Sequence, residues 1–237
     1  MTTNSHESRT AILQMQMSEF WSGDIGLTLI SISLTVLIFV IVPLRQAGLS
    51  GRFFLDCVMV TLMVSGALVV NQNRIITVIT VALVVIGAFV LWLSRFYPSP
   101  FRERLSSILA IITLLLYVRI VLLVMFRQGH VSWSRIQGGV CAYLLLGMAW
   151  ASAYGLVEQL HPGSFHFVTD PTNLDQLGSK LIYFSFATLT TVGFGDVLPV
   201  FPYARSLAIA EAIVGQLFPA ILIGALVAMA MQARTKT

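Results

Sequence analysis

Long apolar runs separated by short polar turns organise this chain. A helix needs about 20 apolar residues to cross a hydrocarbon core of roughly 30 Å, and six nearly uncharged stretches of that order occur, at 25–42, 53–70, 75–93, 105–126, 136–157 and 203–231. Each is apolar on all sides, without the polar stripe of a helix on the surface of a soluble protein. The first is expected to stop at Pro43 and the second at the polar turn Asn71, Gln72, Asn73, Arg74. An all-α membrane protein of six transmembrane helices is therefore predicted. One segment departs from the pattern: between the fifth and sixth runs, a polar stretch at 158–180 precedes an apolar run at 181–189 that is too short to span. Such a run suits a re-entrant helix. Non-helical backbone after it is tolerated at membrane depth only where it is buried in protein or lines a water-filled cavity.

Composition supports the membrane assignment and removes competing classes. The 237 residues are 57% hydrophobic and 10% charged, against about 25% charged in soluble domains, and mean hydropathy is +0.88. Lipid is thus the expected surroundings. A net charge of +4 could favour nucleic acid, but the fourteen Lys and Arg lie singly between apolar runs and form no basic patch. Cys57 and Cys141 sit inside apolar runs, where they read as small hydrophobes and not as a disulfide or metal site. The four histidines are scattered through termini and loops, so no haem or metal constellation, no cofactor and no enzymatic chemistry are expected.

The segment after the short run carries the informative chemistry: Thr188, Leu189, Thr190, Thr191, Val192, Gly193, Phe194, Gly195, Asp196. Glycine accepts the left-handed backbone that strains other residues. Alternating conformations let successive carbonyls point to one side, and a column of oxygens suits a hard cation. Rings of backbone carbonyls replace the hydration shell of the ion in known potassium filters, whose logic is borrowed here. A plain glycine turn joining a buried helix to a loop is the alternative, and the position between two full spans argues against it.

The run Thr191, Val192, Gly193, Phe194, Gly195, Asp196 resembles the signature of tetrameric potassium channels, and the resemblance extends over roughly residues 136–232. It implies that the carbonyls of Thr191, Val192, Gly193 and Phe194, with the Thr191 hydroxyl, hold K+ in a homotetramer, and that Asp196 caps the outer mouth. Tyr183 and Phe184 match positions where the family places aromatic residues that brace the filter, and Thr188 and Thr190 belong to the supporting pore helix. The negative pole of that helix near Thr190 would favour a cation in the cavity. Phe194 stands where the family most often has Tyr, which removes a hydroxyl tie. Ala187 stands where some relatives carry a carboxylate behind the filter, so gating that needs that group is not expected. Gly215 lies at the family's hinge distance, and Pro219 removes a helix hydrogen bond, so bending of the inner helix is expected there.

Four spans ahead of such a unit resemble the six-transmembrane voltage-gated plan. The implied domains are a cytoplasmic segment 1–24, a degenerate voltage-sensor-like bundle 25–126, a pore domain 136–232 and a short tail 233–237. No soluble regulatory domain is expected, and 1–24 lacks the features of a signal peptide. One gating charge gains only about 2.3 kcal/mol per 100 mV, and the fourth run holds a single arginine, Arg119. Voltage gating is therefore expected to be weak or absent, with Arg119 paired to Asp56 or Asp24 or reaching an interface. Both termini are expected in the cytoplasm of a plasma-membrane protein, although six basic residues inside against seven outside give no charge bias. The outer-loop carboxylates Glu158, Asp170, Asp175 and Asp196 would make a mildly negative vestibule. Competing readings are an atypical voltage-gated channel, a nonselective cation channel, a non-conducting accessory subunit and a secondary transporter. The last would need an intramembrane carboxylate, a role for which only Asp56 is expected.

Overall fold

The computed structural model describes residues 28, 30–46, 78, 82, 85–87, 89–90, 99–126 and 133–235. Three of its helices are long and apolar enough to cross a membrane: α2 (Pro100–Met125), α3 (Trp133–Leu160) and α5 (Pro202–Thr235). They carry the runs expected at 105–126, 136–157 and 203–231. The second run and Asp56, Asp24 and the segment 1–24 lie outside the described residues. Of the third run only 78, 82, 85–87 and 89–90 are described, all of them helical.

Proline does not end the first helix as expected. A π-helical turn, Leu37–Ile41, leads directly into α1 (Val42–Gln46), which contains Pro43. Pro43 has no N–H to donate. The widened turn, in which the Val42 N–H reaches back to the Leu37 carbonyl, carries the helix past that defect.

Helix α2 opens with Pro100 at its first position, where the missing N–H would have had no partner, and the Glu103 N–H closes the first turn on the Ser99 carbonyl at 3.1 Å. It runs antiparallel to α3, since Ser107 near its start meets Gln159 near the end of α3, with Gln159 Nε2 donating to Ser107 Oγ at 3.1 Å. At the opposite end of α3, Thr28 Oγ1 donates to Gln137 Oε1 at 3.2 Å. One buried cluster joins Ile30, Leu34, Tyr117, Val121, Cys141 and Leu145 across these helices. A second, around Tyr154, Phe165, Leu181, Phe184 and Val197, fills the end of the molecule that carries the loop between α3 and α5.

That loop is folded. β1 (Phe165–Phe167) pairs antiparallel with β2 (Val197–Pro199), Phe165 opposite Pro199 and Phe167 opposite Val197. Between them lies α4 (Leu174–Leu189), longer than the run 181–189 because part of the polar stretch joins it. Asn173 caps its start by accepting from the Gln176 N–H at 2.9 Å, and Gln176 Oε1 accepts in return from the Thr172 N–H at 2.9 Å. Its 16 residues reach about 24 Å at 1.5 Å per residue, short of a membrane crossing. The last helix, α5, continues to Thr235, into the segment expected as a tail.

Candidate functional site

The end of α4 is tied to the segment that follows it by a compact set of backbone bonds. The Thr190 N–H and Oγ1 both donate to the Phe186 carbonyl, at 3.0 and 2.6 Å. The Thr191 N–H donates to Thr188 O at 2.9 Å, and the Ala187 carbonyl accepts from both Val192 N–H (2.9 Å) and Gly193 N–H (3.1 Å). Three successive amide N–H groups thus point back at the helix. In a trans peptide the carbonyl of the preceding residue points the opposite way, so the carbonyls of Thr190, Thr191 and Val192 are turned away from α4. A row of oxygens facing away from the supporting helix is the arrangement by which backbone can hold a cation.

Backbone conformation alternates as the glycine spacing demands. Thr191, Gly193 and Gly195 have φ of 58°, 56° and 81°, the left-handed region that glycine enters freely. Thr191 enters it at a cost of order 1–3 kcal/mol. Its hydroxyl is held in place, since Gln216 Nε2 on α5 donates to Thr191 Oγ1 at 2.9 Å. Gln216 was absent from the expected site residues.

Tyr183 and Phe184 are separated by the structure. Adjacent residues on a helix point about 100° apart, and only Tyr183 faces the segment, its ring stacked on that of Phe194 at 6.0 Å and 14°. Desolvation, followed by the nearby Asp196 carboxylate, raises the Tyr183 phenol above its ordinary value. Phe184 is buried in the second cluster, edge-on to Tyr154 at 5.0 Å and to Phe165 at 5.5 Å. Within this single chain Val192 and Phe194 remain 55% and 68% exposed.

Helix α5 passes very close behind the end of α4. A Cβ on Gly215 would lie 2.0 Å from the Leu189 carbonyl oxygen, so glycine is required there for close approach as well as being expected as a hinge. Tyr143 Oη from α3 donates to the same Leu189 carbonyl at 3.0 Å. Pro219 lies within the continuous helix α5, and its missing N–H is the one that would have bonded the Gly215 carbonyl. Both residues therefore affect one helical turn.

A buried carboxylate changes the charge inventory of the spans. Glu211, within 203–231, is 0% exposed, which corrects the expectation that Asp56 is the only mid-span carboxylate. Tyr154 Oη from α3 donates to Glu211 Oε2, and Ser185 Oγ from α4 lies 2.5 Å from Glu211 Oε1 and 2.7 Å from the Gly147 carbonyl oxygen. Interhelical hydrogen bonds in membranes contribute about 0.6 kcal/mol on average and up to roughly 1.7 kcal/mol. Placing a carboxyl at mid-span costs about 2.5–3.5 kcal/mol on insertion scales. Its polar partners sit 57 and 26 residues away in sequence. The signal that could have found it was the acidic letter itself, the only Asp or Glu in the run 203–231.

The outer-loop carboxylates do not act alike. Glu158 is occupied within the loop, its Oε1 accepting from the Gly163 N–H at 2.8 Å and its Oε2 from Phe165 N–H at 3.3 Å. Asp170 and Asp196 are exposed. Lys180 Nζ donates to the Thr169 carbonyl. Arg119 is exposed on α2 among Ile108, Ile112, Leu115 and Leu123, which are exposed on the same helix, and no acidic side chain is recorded beside it among the described residues.

Comparison with known proteins covers the same stretch of chain. Residues 140–232, which span most of α3, β1, α4, the glycine-rich segment, β2 and most of α5, match the family model described as ion channel. The chain is similar to Protein LctB of Geobacillus stearothermophilus, with 34% identity over 86 residues, 34% of this chain and 59% of that protein. It thus spans less than two thirds of that relative's length. No solved structure matches. Together these findings support a chain of mostly helical build, with three helices long and apolar enough to cross a membrane, whose residues 140–232 match an ion-channel family model.

Proposed function

We propose that the protein is a potassium-selective channel: a homotetramer that conducts K+ passively across the plasma membrane, with weak or no voltage gating. The observation that carries this reading is the glycine-rich segment. The amides of Thr191, Val192 and Gly193 are bonded back to α4, the carbonyls of Thr190, Thr191 and Val192 are turned away from it, and left-handed residues alternate at 191, 193 and 195. K+ would be held by the carbonyls of Thr191, Val192, Gly193 and Phe194 and by the Thr191 hydroxyl. Asp196 would sit at the outer mouth, α4 would be the re-entrant pore helix, and lipid would surround the assembly.

One such strand cannot encircle an ion, and four copies about a cyclic axis close the ring. Exposure of Val192 and Phe194 in the single chain supports a face that other copies cover. In this reading the chain has six spans with both termini in the cytoplasm. The contacts of Thr28 with Gln137 and of Ser107 with Gln159 support that alternation, since they fit a first span parallel to α3 and a fourth antiparallel to it. A single arginine, Arg119, within the apolar run 105–126 supports weak voltage dependence.

Flux tests the proposal. Purified protein in liposomes holding a potassium gradient is expected to pass potassium, exclude sodium and be blocked by barium. Equal sodium and potassium flux would make it a nonselective cation channel, and absence of flux from a tetrameric preparation would make it a non-conducting subunit.

A further inference from the structure

The carboxyl group of Glu211 stands where three helices meet, and a count of protons fixes its state. Three oxygen–oxygen contacts converge: Tyr154 Oη with Glu211 Oε2, Ser185 Oγ with Glu211 Oε1 at 2.5 Å, and Ser185 Oγ with Gly147 O at 2.7 Å. Each needs one proton between its oxygens. Tyr154 and Ser185 supply one each, which leaves a contact unfilled if Glu211 is ionised. A protonated Glu211 completes the set, donating to Ser185, which donates to Gly147 O, while Tyr154 donates to the other carboxyl oxygen.

The surroundings agree with the count. Glu211 is fully buried within one chain. The titratable groups facing it are Tyr154 and Tyr143, both from α3. Helix α4 contributes the neutral Ser185, strand β2 consists of Val197, Leu198 and Pro199, and no cationic side chain among the described residues compensates a charge on the group. A buried, unpaired carboxylate is strongly disfavoured against its neutral form.

Resting on the channel reading above, we propose that Glu211 is a positioning residue for the filter: as a neutral carboxylic acid it fastens the inner helix to the pore helix, and loss of its proton stops conduction. Ser185 lies two positions before Ala187, whose carbonyl accepts the N–H groups of Val192 and Gly193. Deprotonation leaves Ser185 one proton for two acceptors and sets an uncompensated charge against α4, less than one turn from the residue that holds the filter amides. The intact state therefore exists below the pKa of the group and is lost as pH rises through it.

The full chain in liposomes, with equal pH on both sides stepped from about pH 6 to about pH 10, provides the test. Wild-type potassium flux is expected to fall on the alkaline side by about tenfold per pH unit or more, as for loss of an essential proton. Glu211→Gln, whose amide can donate to Ser185 and accept from Tyr154, is expected to conduct without that fall, whereas Glu211→Leu is expected to lose flux throughout. Infrared spectra of the wild type at neutral pH should contain the carbonyl stretch of a buried carboxylic acid, disappearing over the same pH range as the flux. A flat wild-type profile, an unchanged alkaline fall in Glu211→Gln, a tetrameric but silent Glu211→Gln, or an ionised Glu211 in the neutral-pH spectrum would each overturn the proposal. Wild type that passes no potassium at any pH would instead defeat the channel reading, and the infrared spectrum would still decide whether Glu211 is protonated.

Discussion

At Gly215 the requirement for glycine is steric and lies in the backbone of another element. The Leu189 carbonyl that a Cβ would strike at 2.0 Å is itself fixed by Tyr143, so α5 would have to move. Overpacking of this kind costs about 1–3 kcal/mol. Gly215→Ala is therefore expected to lower the thermal stability of the detergent-purified assembly, while Pro219→Ala, which restores an N–H to the Gly215 carbonyl, is expected to preserve or raise it. Equal melting of wild type and Gly215→Ala by size-exclusion thermal scan would contradict the close approach. At this scale the sequence was legible where chemistry is local. Gly193 and Gly195 announce left-handed backbone because their neighbours in the chain set the requirement. Glu211 and Gln216 did not announce themselves, because what makes them informative is partners on α3, α4 and the filter segment.

Among elements, the helices were legible from apolar run length, and their ends less so. Pro43 was expected to stop a helix that a π-turn carries onward, and α4 starts earlier than its apolar part because Asn173 caps its start and Gln176 holds the preceding Thr172 N–H. Run length registers side-chain polarity but not capping or a change of hydrogen-bond register. Which of Tyr183 and Phe184 meets the filter was equally invisible, since it depends on how α4 is rotated against its neighbours. For α2 the consequence is electrical. Arg102 and Arg104 lie near its start and Arg119 stands alone in its apolar run, and one charge without a series at helical spacing supplies little gating charge against about 2.3 kcal/mol per charge per 100 mV. Arg119→Gln is expected to leave the slope of the conductance–voltage relation unchanged in planar bilayers. A steep wild-type curve flattened by that substitution would show α2 to be a sensor after all.

For the whole molecule, the apolar surface that marked the chain as a membrane protein divides into two kinds of face. Some of it meets lipid, and in the proposed assembly the part around Val192 and Phe194 meets other copies of the chain. A sequence records that a face is apolar but not what covers it, so the proposed four-fold assembly rests on the chemistry of the glycine-rich segment and not on periodicity. The exposed glycine-rich strand has a genetic consequence under the proposed function. In the proposed homotetramer each chain would contribute a quarter of every ion site, so one defective copy would spoil the ring it joins. If Gly193→Ala chains still assemble and are co-expressed equally with wild type, random mixing leaves about one tetramer in sixteen free of the variant. Potassium uptake by the cells should fall to about that fraction, whereas a fall to about half would mean that each chain conducts by itself. A single faulty allele would then act as a near-complete loss, with inheritance reporting the stoichiometry of the pore.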